Sequence, residues 1–266
     1  MLVDTHAHLD FPEFKGDRDA VVQRALESGV SRILAVGVDL PSSRAVVTLA
    51  EKYDSVSAAV GVHPGDASKW NDSVAKQLAT LAQHPKVVAI GEIGLDYHRD
   101  RSPREMQRQA FQGQLDLAAS LGLPVIVHDR EAHQQTLTAL RAWATRPDVR
   151  GNQGYATNGL GVLHCFSGDL ALAEQLLALG FCISIAGPVT YPKSGQLGYL
   201  ARKLPLSGLV IETDCPYLTP QAWRGRRNEP AYVRAVAEKI AELRSVALET
   251  VAEATTANAR RLFRLP

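Results

Sequence analysis

The sequence predicts an α/β fold: a single (β/α)8 (TIM) barrel whose active face lies at the carboxyl ends of its strands. Three observations point there. Eight short β-branched runs alternate with segments whose apolar residues recur at helical spacing, the order expected of a parallel sheet. Six side chains of metal-ligand type, His6, His8, Glu92, His128, His164 and Asp214, each fall at or just past the carboxyl end of one of those runs. A closed barrel would bring all six together. The length, 266 residues, suits one such barrel, so residues 1–266 are read as one domain.

In chain order, strands are expected at Leu2 to His6, Arg32 to Val38, Val56 to Val62, Val87 to Ile93, Val125 to His128, Val162 to Cys165, Phe181 to Ala186 and Leu209 to Thr213. Arg18 to Ser28, Val74 to Gln83, Leu170 to Leu179 and Tyr232 to Leu243 carry helical periodicity. Ser102-Pro103-Arg104-Glu105 predicts a helix start with a capping hydroxyl, a preset first-turn φ and a returning glutamate. That helix should run to Leu121 and stop at Gly122. The Gly/Asn-rich stretch Arg150 to Gly161 reads as an inserted surface loop, and Tyr217 to Pro230 as a long loop rich in Arg, Pro and Gly.

A hydrophobic content of 45% with 21% charged residues is that of an ordinary globular chain. The net charge of +1 offers no overall field for nucleic acid or membrane, so any anionic substrate has to be held locally. Three cysteines, Cys165, Cys182 and Cys215, form no C-x-x-C and read as reduced packing residues. No basic segment leads into a long apolar stretch, and Leu176 to Val189 is too short to span a bilayer. A cytoplasmic protein without membrane contact or required protein partner is therefore expected.

Histidine placement sharpens the functional reading. Eight histidines scattered at random over a barrel chain would put about one at a strand tip, whereas His6, His8, His63, His128 and His164 all sit there. Polar plugging of strand ends explains one such histidine more readily than five accompanied by two carboxylates. Alternation along a strand puts His6 and His8 on one face, able to grip one cation as neutral imidazoles. Asp4 shares that parity and could orient an imidazole or simply bond nearer the barrel floor. Glu212 and Asp214 share a face on the last strand, and a structural ion pair is the competing reading for the deeper Glu212. Glu92, between Gly91 and Gly94, could bridge two cations, with His128 and His164 completing a second position and Asp214 beside the first.

Asp4-Thr5-His6-Ala7-His8, Gly61-Val62-His63-Pro64, Gly91-Glu92-Ile93-Gly94-Leu95-Asp96-Tyr97, Val127-His128-Asp129-Arg130, His164-Cys165-Phe166-Ser167-Gly168, Glu212-Thr213-Asp214-Cys215-Pro216-Tyr217-Leu218 and Arg224-Gly225-Arg226-Arg227-Asn228-Glu229-Pro230 run in this order along the chain. Together they resemble the signature of the TatD family of metal-dependent deoxyribonucleases, in the amidohydrolase superfamily. The resemblance implies two divalent ions, Mg2+ or Mn2+ with Zn2+ as a further candidate in purified protein, at His6, His8, Glu92, His128, His164 and Asp214. It also implies a phosphodiesterase acting on DNA or RNA, as a 3′ to 5′ exonuclease on single-stranded ends. Some relatives are assigned to D-aminoacyl-tRNA deacylation. The Arg150 to Gly161 loop and Gln221-Ala222-Trp223 depart from the family pattern.

Within that expectation Asp214 is the proton acceptor for a metal-activated water, with Glu92 the alternative. His63, before the rigid Pro64, reads as a phosphate or leaving-group contact. Arg130 could bind phosphate or pair with Glu131. Arg224, Arg226 and Arg227 could hold phosphates or be solvated surface charge. Asp96 fits either support of a ligand or a turn, and Tyr217 and Trp223 either base stacking or packing. His84, His98 and His133 receive no catalytic role. The same barrel could instead hydrolyse an acyl-tRNA bond, a small amide or a small phosphoester, and a non-catalytic metal-binding scaffold is a lesser alternative.

Overall fold

The computed structural model describes residues 1–266. Eight parallel strands lie side by side in chain order: β1 Leu2–Ala7, β2 Val30–Val36, β3 Val56–Val60, β4 Val87–Asp96, β5 Val125–Arg130, β6 Gly161–Leu163, β7 Phe181–Ile185 and β8 Leu209–Ile211. The connecting helices are α1 Arg18–Glu27, α2 Leu40–Lys52, α3 Asp72–Leu81, α4 Arg104–Leu121, α5 His133–Ala144, α6 Pro147–Arg150, α7 Gln153–Asn158, α8 Leu170–Ala178, α9 Gly195–Lys203, α10 Val233–Arg244 and α11 Leu248–Phe263. Beyond the end of β8 the chain turns back to β1: Thr5 Oγ1 donates to Ile211 O at 3.0 Å, Asp214 N to His6 O at 2.9 Å and His8 N to Cys215 O at 2.9 Å. The result is a single (β/α)8 barrel.

Its interior is filled by one layer drawn from every strand: Val3, Leu34 and Val36, Ala59, Ala89, Ile126, Val162, Cys182 and Val210. Leu262 and Phe263 of α11 pack beneath this layer and close the floor. A larger apolar cluster joins the outer strand faces to the helices. At about 25 cal/mol per Å2 of buried apolar surface, such layers supply most of the drive to fold. The polar side chains lie above the inner layer, at the opposite end of the barrel.

Two strands break their pleat on the way up. Strand register slips between Asp4 and Ala7 on β1 and between Ile90 and Ile93 on β4. A slip of this kind re-aims side chains. Val3 and Ala89 therefore face the interior, and so do His6, His8 and Glu92, although their parity is opposite. The period-two reading of Asp4 with His6 and His8 assumed an unbroken pleat. The carboxylate instead accepts from Thr213 N at 2.9 Å and Thr213 Oγ1 at 2.6 Å, and meets no imidazole.

Two local expectations are corrected. Helix α4 spans Arg104–Leu121 and ends on a left-handed Gly122 as expected, but no side chain caps its start. Ser102 is buried and donates to Gly65 O at 3.0 Å, binding the loop after β3. The stretch from Arg150 to Gly161 holds the helical turn α7. Its Tyr155 hydroxyl reaches Ala118 O at 2.7 Å and Leu123 O at 2.8 Å, a contact set by residues far away in sequence.

Candidate metal centre

Glu92, at 3% exposure, occupies the centre of the barrel mouth. Its Oε1 lies 2.7 Å from His128 Nδ1 and 2.8 Å from His164 Nε2. The other oxygen, Oε2, is 3.4 Å from His6 Nε2 and 3.7 Å from His8 Nε2. Asp214 Oδ1 faces the latter pair at 3.8 and 3.5 Å. The six side chains singled out from sequence thus meet in one place, split into two groups around a shared carboxylate. Close strand packing permits this: a Cβ on Gly91 would stand 2.6 Å from Ile126 Cβ, and one on Gly94, whose φ is +140°, 2.0 Å from His128 O.

Each imidazole has two nitrogens, and the outward one decides what the inward one can do. His8 Nδ1 lies 3.0 Å from Val36 O, His128 Nε2 3.3 Å from Asp96 Oδ2, and His164 Nδ1 3.6 Å from Glu212 Oε1. All three outer neighbours are acceptors, Val36 O within a hydrogen bond and the two carboxylates facing ring nitrogens that have no other partner. A neutral ring then carries its proton outward and turns a lone pair inward, the arrangement that orients metal-bound histidines. Those lone pairs face each other and carboxylates: His6 Nε2 to His8 Nε2 is 3.3 Å, and His128 Nδ1 to His164 Nε2 is 3.2 Å. Acceptors so crowded require positive charge between them, so the donor set fits divalent cations.

The titration of these groups carries the same message. Burial alone would lower His8, His128 and His164, yet the facing carboxylates push all three above the ordinary histidine value. For Glu92, burial is overcome by His164 and His128, which hold its carboxyl well below the usual range. Asp214 is likewise low, burial being outweighed by His8 and His6. His6 is lowered by burial and by neighbouring His164.

His63 is built differently. Its Nδ1 accepts from Gly65 N at 2.9 Å, so the neutral ring carries its proton on Nε2, which faces Glu92 Oε1 at 3.6 Å. Burial lowers its pKa to about 4, keeping the ring neutral near pH 7. Its position groups it with Glu92 and His128 as a metal-ligand candidate. The tautomer argues against that role: the inward nitrogen is a donor.

Around the centre lies a supporting layer. Asp4 grips Thr213, next to Asp214, and burial raises its pKa to about 8. Asp96 faces His128 with one oxygen and accepts the backbone N–H groups of His98 and Arg99 with the other. Glu212 is fully buried without an ion-pairing Arg or Lys, accepting from Ser184 Oγ at 2.7 Å and from Cys165 N. Sequence reading missed three amides here. Gln114 bonds Val62 N and O at 2.7 and 3.0 Å, Gln107 bonds Asp96 N and O at 2.8 and 3.0 Å, and Asn228 donates to Thr213 O at 2.9 Å. Three polar residues fully buried in helix and loop were the available signal.

The arginines divide. Arg130 stands half-buried two residues past His128, while Glu131 pairs with His98 at 2.6 Å and leaves Arg130 without it. Arg227 is tied to Asp17 at 2.7 Å and lies over Phe14, clasping the loop after β8 to α1. Arg224 lies over Tyr191, and Arg226 is exposed. Trp223 stacks on Tyr232 at 4.2 Å, whereas Tyr217 is 51% exposed. His84 and His133 pair with Glu51 and Asp129.

Barrel and donor set together define a metal-dependent hydrolase. A family model described as TatD related DNase matches residues 3–264, and the chain belongs to that family. It is 41% identical over 265 residues to the metal-dependent hydrolase YabD of Bacillus subtilis, with both chains covered in full. It is 39% identical over 270 residues to the 3′-5′ ssDNA/RNA exonuclease TatD of Pectobacterium atrosepticum, covering 99% of this chain and 100% of that one. The crystal structure of YjjV, a TatD homologue from Escherichia coli, superposes with a TM-score of 0.90 at 36% identity, covering 100% of this chain and 98% of that one. No helix is long and apolar enough to cross a membrane.

Proposed function

We propose that this protein hydrolyses phosphodiester bonds at single-stranded DNA or RNA ends, removing nucleotides from the 3′ side. The observation that carries the reading is the shared Glu92, with one oxygen facing His128 and His164 and the other facing His6 and His8. His6, His8, Glu92 and Asp214 would hold one divalent ion, and Glu92, His128 and His164 a second, with Mg2+ or Mn2+ the ions of choice. Bound there, the ions would supply a water of lowered pKa and stabilise charge on phosphoryl oxygens. A relative at 39% identity bears the name of a 3′-5′ exonuclease on ssDNA and RNA, which supports the substrate class.

The chain's own groups have distinct tasks. Asp214 is ionised and reaches solvent at the mouth, so it accepts the proton of the attacking water. The neutral Nε2–H of His63 donates to a nonbridging or leaving oxygen, acting where charge develops. Arg130, projecting beyond His128, meets the phosphate from the side of β5. Asp4, Asp96 and Glu212 hold Thr213, His128 and His164 in place.

Purified protein reconstituted with Mg2+ or Mn2+ should shorten a 5′-labelled single strand into a ladder while releasing label from a 3′-labelled one as mononucleotide. Glu92→Ala should lose both metal content and activity. A metal-loaded protein that leaves both strands intact but turns over an aminoacyl ester would replace this reading with deacylation.

A further inference from the structure

The loop that follows β4 carries two arginines, Arg99 and Arg101, that stand exposed with no carboxylate within ion-pairing distance. Their neighbours are engaged: Asp100 pairs with Arg104, and His98 with Glu131. The loop is fixed to the metal centre through its backbone. Asp96, which faces His128, accepts Arg99 N at 2.9 Å. Arg101 Cδ lies 3.5 Å from the position a Cβ on Gly65 would take, and His63 Nδ1 lies 3.0 Å from that same point. Arg99 is thus tied through its backbone to a residue facing the centre, and the side chain of Arg101 passes beside the Gly65 turn that carries His63.

Across the mouth stands an aromatic pair. Phe11 stacks on His8 with ring centres 4.6 Å apart, and Tyr217 meets Phe11 edge-on at 6.2 Å. Tyr217 is bonded through its backbone N to Asp214 O at 3.0 Å and its O accepts from Asn228, which fixes it relative to the centre. Half of its surface is nevertheless exposed. The arginines follow β4 and Tyr217 follows β8, so ring and arginines stand at the carboxyl ends of the strands, on one rim of the barrel. Burying a tyrosine ring costs nothing that packing would not repay, so an anchored ring left half in water has room for a partner on its face.

Resting on the phosphodiesterase reading, we propose that Arg99, Arg101 and Tyr217 form the subsite for the nucleotide next to the scissile phosphate. The arginines hold its phosphate and Tyr217 stacks its base. Cations beside an exposed aromatic face are what single strands bind without sequence preference. Within a duplex the base faces are covered by their neighbours, so this subsite selects unpaired ends. It also moves the principal phosphate contacts from the loop containing Arg227, which is engaged with Asp17, to the loop after β4.

The test uses Mg2+-loaded protein and a fluorescent hexathymidylate whose 3′ linkages are phosphorothioates, so that binding is read apart from cleavage. Tyr217→Ala should weaken binding about 5- to 150-fold, the range of one lost base stack. Binding of the same strand with its two 3′ bases removed should not change, and Tyr217→Phe should restore the loss. The Arg99→Ala/Arg101→Ala double variant, which frees the one phosphate they share, should flatten the dependence of log K on log salt by about 0.7. Arg234→Ala, beside Met1 and Leu2 at the far end of the barrel, should leave that slope alone. Equal losses for normal and abasic strands, an unaltered salt slope, or no binding by the unaltered protein would overturn the subsite. Binding that behaves as expected in a protein that cleaves no strand would instead overturn the phosphodiesterase reading and leave the subsite standing.

Discussion

His63 and His128 both lie within 4 Å of Glu92 Oε1, but the far nitrogen of His63 accepts from Gly65 N while that of His128 faces the Asp96 carboxylate. An imidazole whose far nitrogen meets a carboxylate turns a lone pair inward, whereas one whose far nitrogen meets a backbone N–H turns a proton inward. Gly65 N makes that choice for His63. Replacing His63 with alanine should therefore reduce turnover by about 100- to 1,000-fold, the range for loss of a donor to developing charge, with metal stoichiometry unchanged. Glutamine, which keeps an N–H donor, should recover part of the rate. Metal analysis beside kcat decides: loss of one ion in His63→Ala would make the residue a ligand after all. Strand-tip position marked His63 as functional from sequence, but only the turn to Gly65 separates donor from ligand.

At the scale of elements, the barrel was legible because its signals are local and the supports were not because theirs are distant. Eight β-branched runs gave eight strands, and Gly122 marked the end of α4. The register slips on β1 and β4 left no mark in hydrophobic alternation, so Asp4 was grouped with side chains it does not touch. Ser102 has the sequence of a cap and the position of a clamp: its hydroxyl donates to Gly65 O and accepts from Ser68 N instead of from the first N–H groups of α4. Gln114 is the sharpest case: a polar residue in mid-helix whose amide satisfies both backbone groups of Val62, immediately before His63. Gln114→Leu leaves a buried N–H and C=O without partners, costing about 1–3 kcal/mol, or roughly 2–12 °C in melting temperature at about 2–4 °C per kcal/mol for a chain this size. Turnover should fall further than Glu92-dependent metal uptake does, since the loop it anchors carries the donor and not the ligands. Calorimetry with metal titration checks both, and an unshifted melting temperature would mean that another group takes over Val62.

The whole molecule has a floor made of apolar layers and a mouth made of charge, and the two respond differently to pH and metal. The floor packs Val3, Ala89, Val162 and their neighbours against α11, and the thiol of its Cys182 is pushed up by burial, so it contributes the same stability across the pH range in which the mouth titrates. The mouth does not. Without metal, His164 is held well above the ordinary value of 6.5 by Glu92 and Glu212, against the opposing effect of burial. A histidine raised in the folded state stabilises fully below about 6.5, and that contribution is lost as pH climbs through the folded value. His63 acts in the other direction: with a folded pKa of about 4 its cost accumulates as pH falls from roughly 6.5 to 4, stays in full below that, and adds no slope above neutrality. A bound cation takes over the work of the His164 proton at Glu92. The metal-free protein should therefore lose more stability than the metal-loaded protein as pH rises above 6.5, while the buried Asp4, raised to about 8, costs both forms alike over the lower part of that range. At one hundred times Kd a divalent ion adds about 2.7 kcal/mol, or roughly 5–10 °C. Melting curves with EDTA and with Mn2+ from pH 6 to 9 should diverge as pH rises, and the divergence should collapse in Glu92→Gln. Parallel curves across that range would mean that the histidines of the mouth do not exchange a proton for a metal.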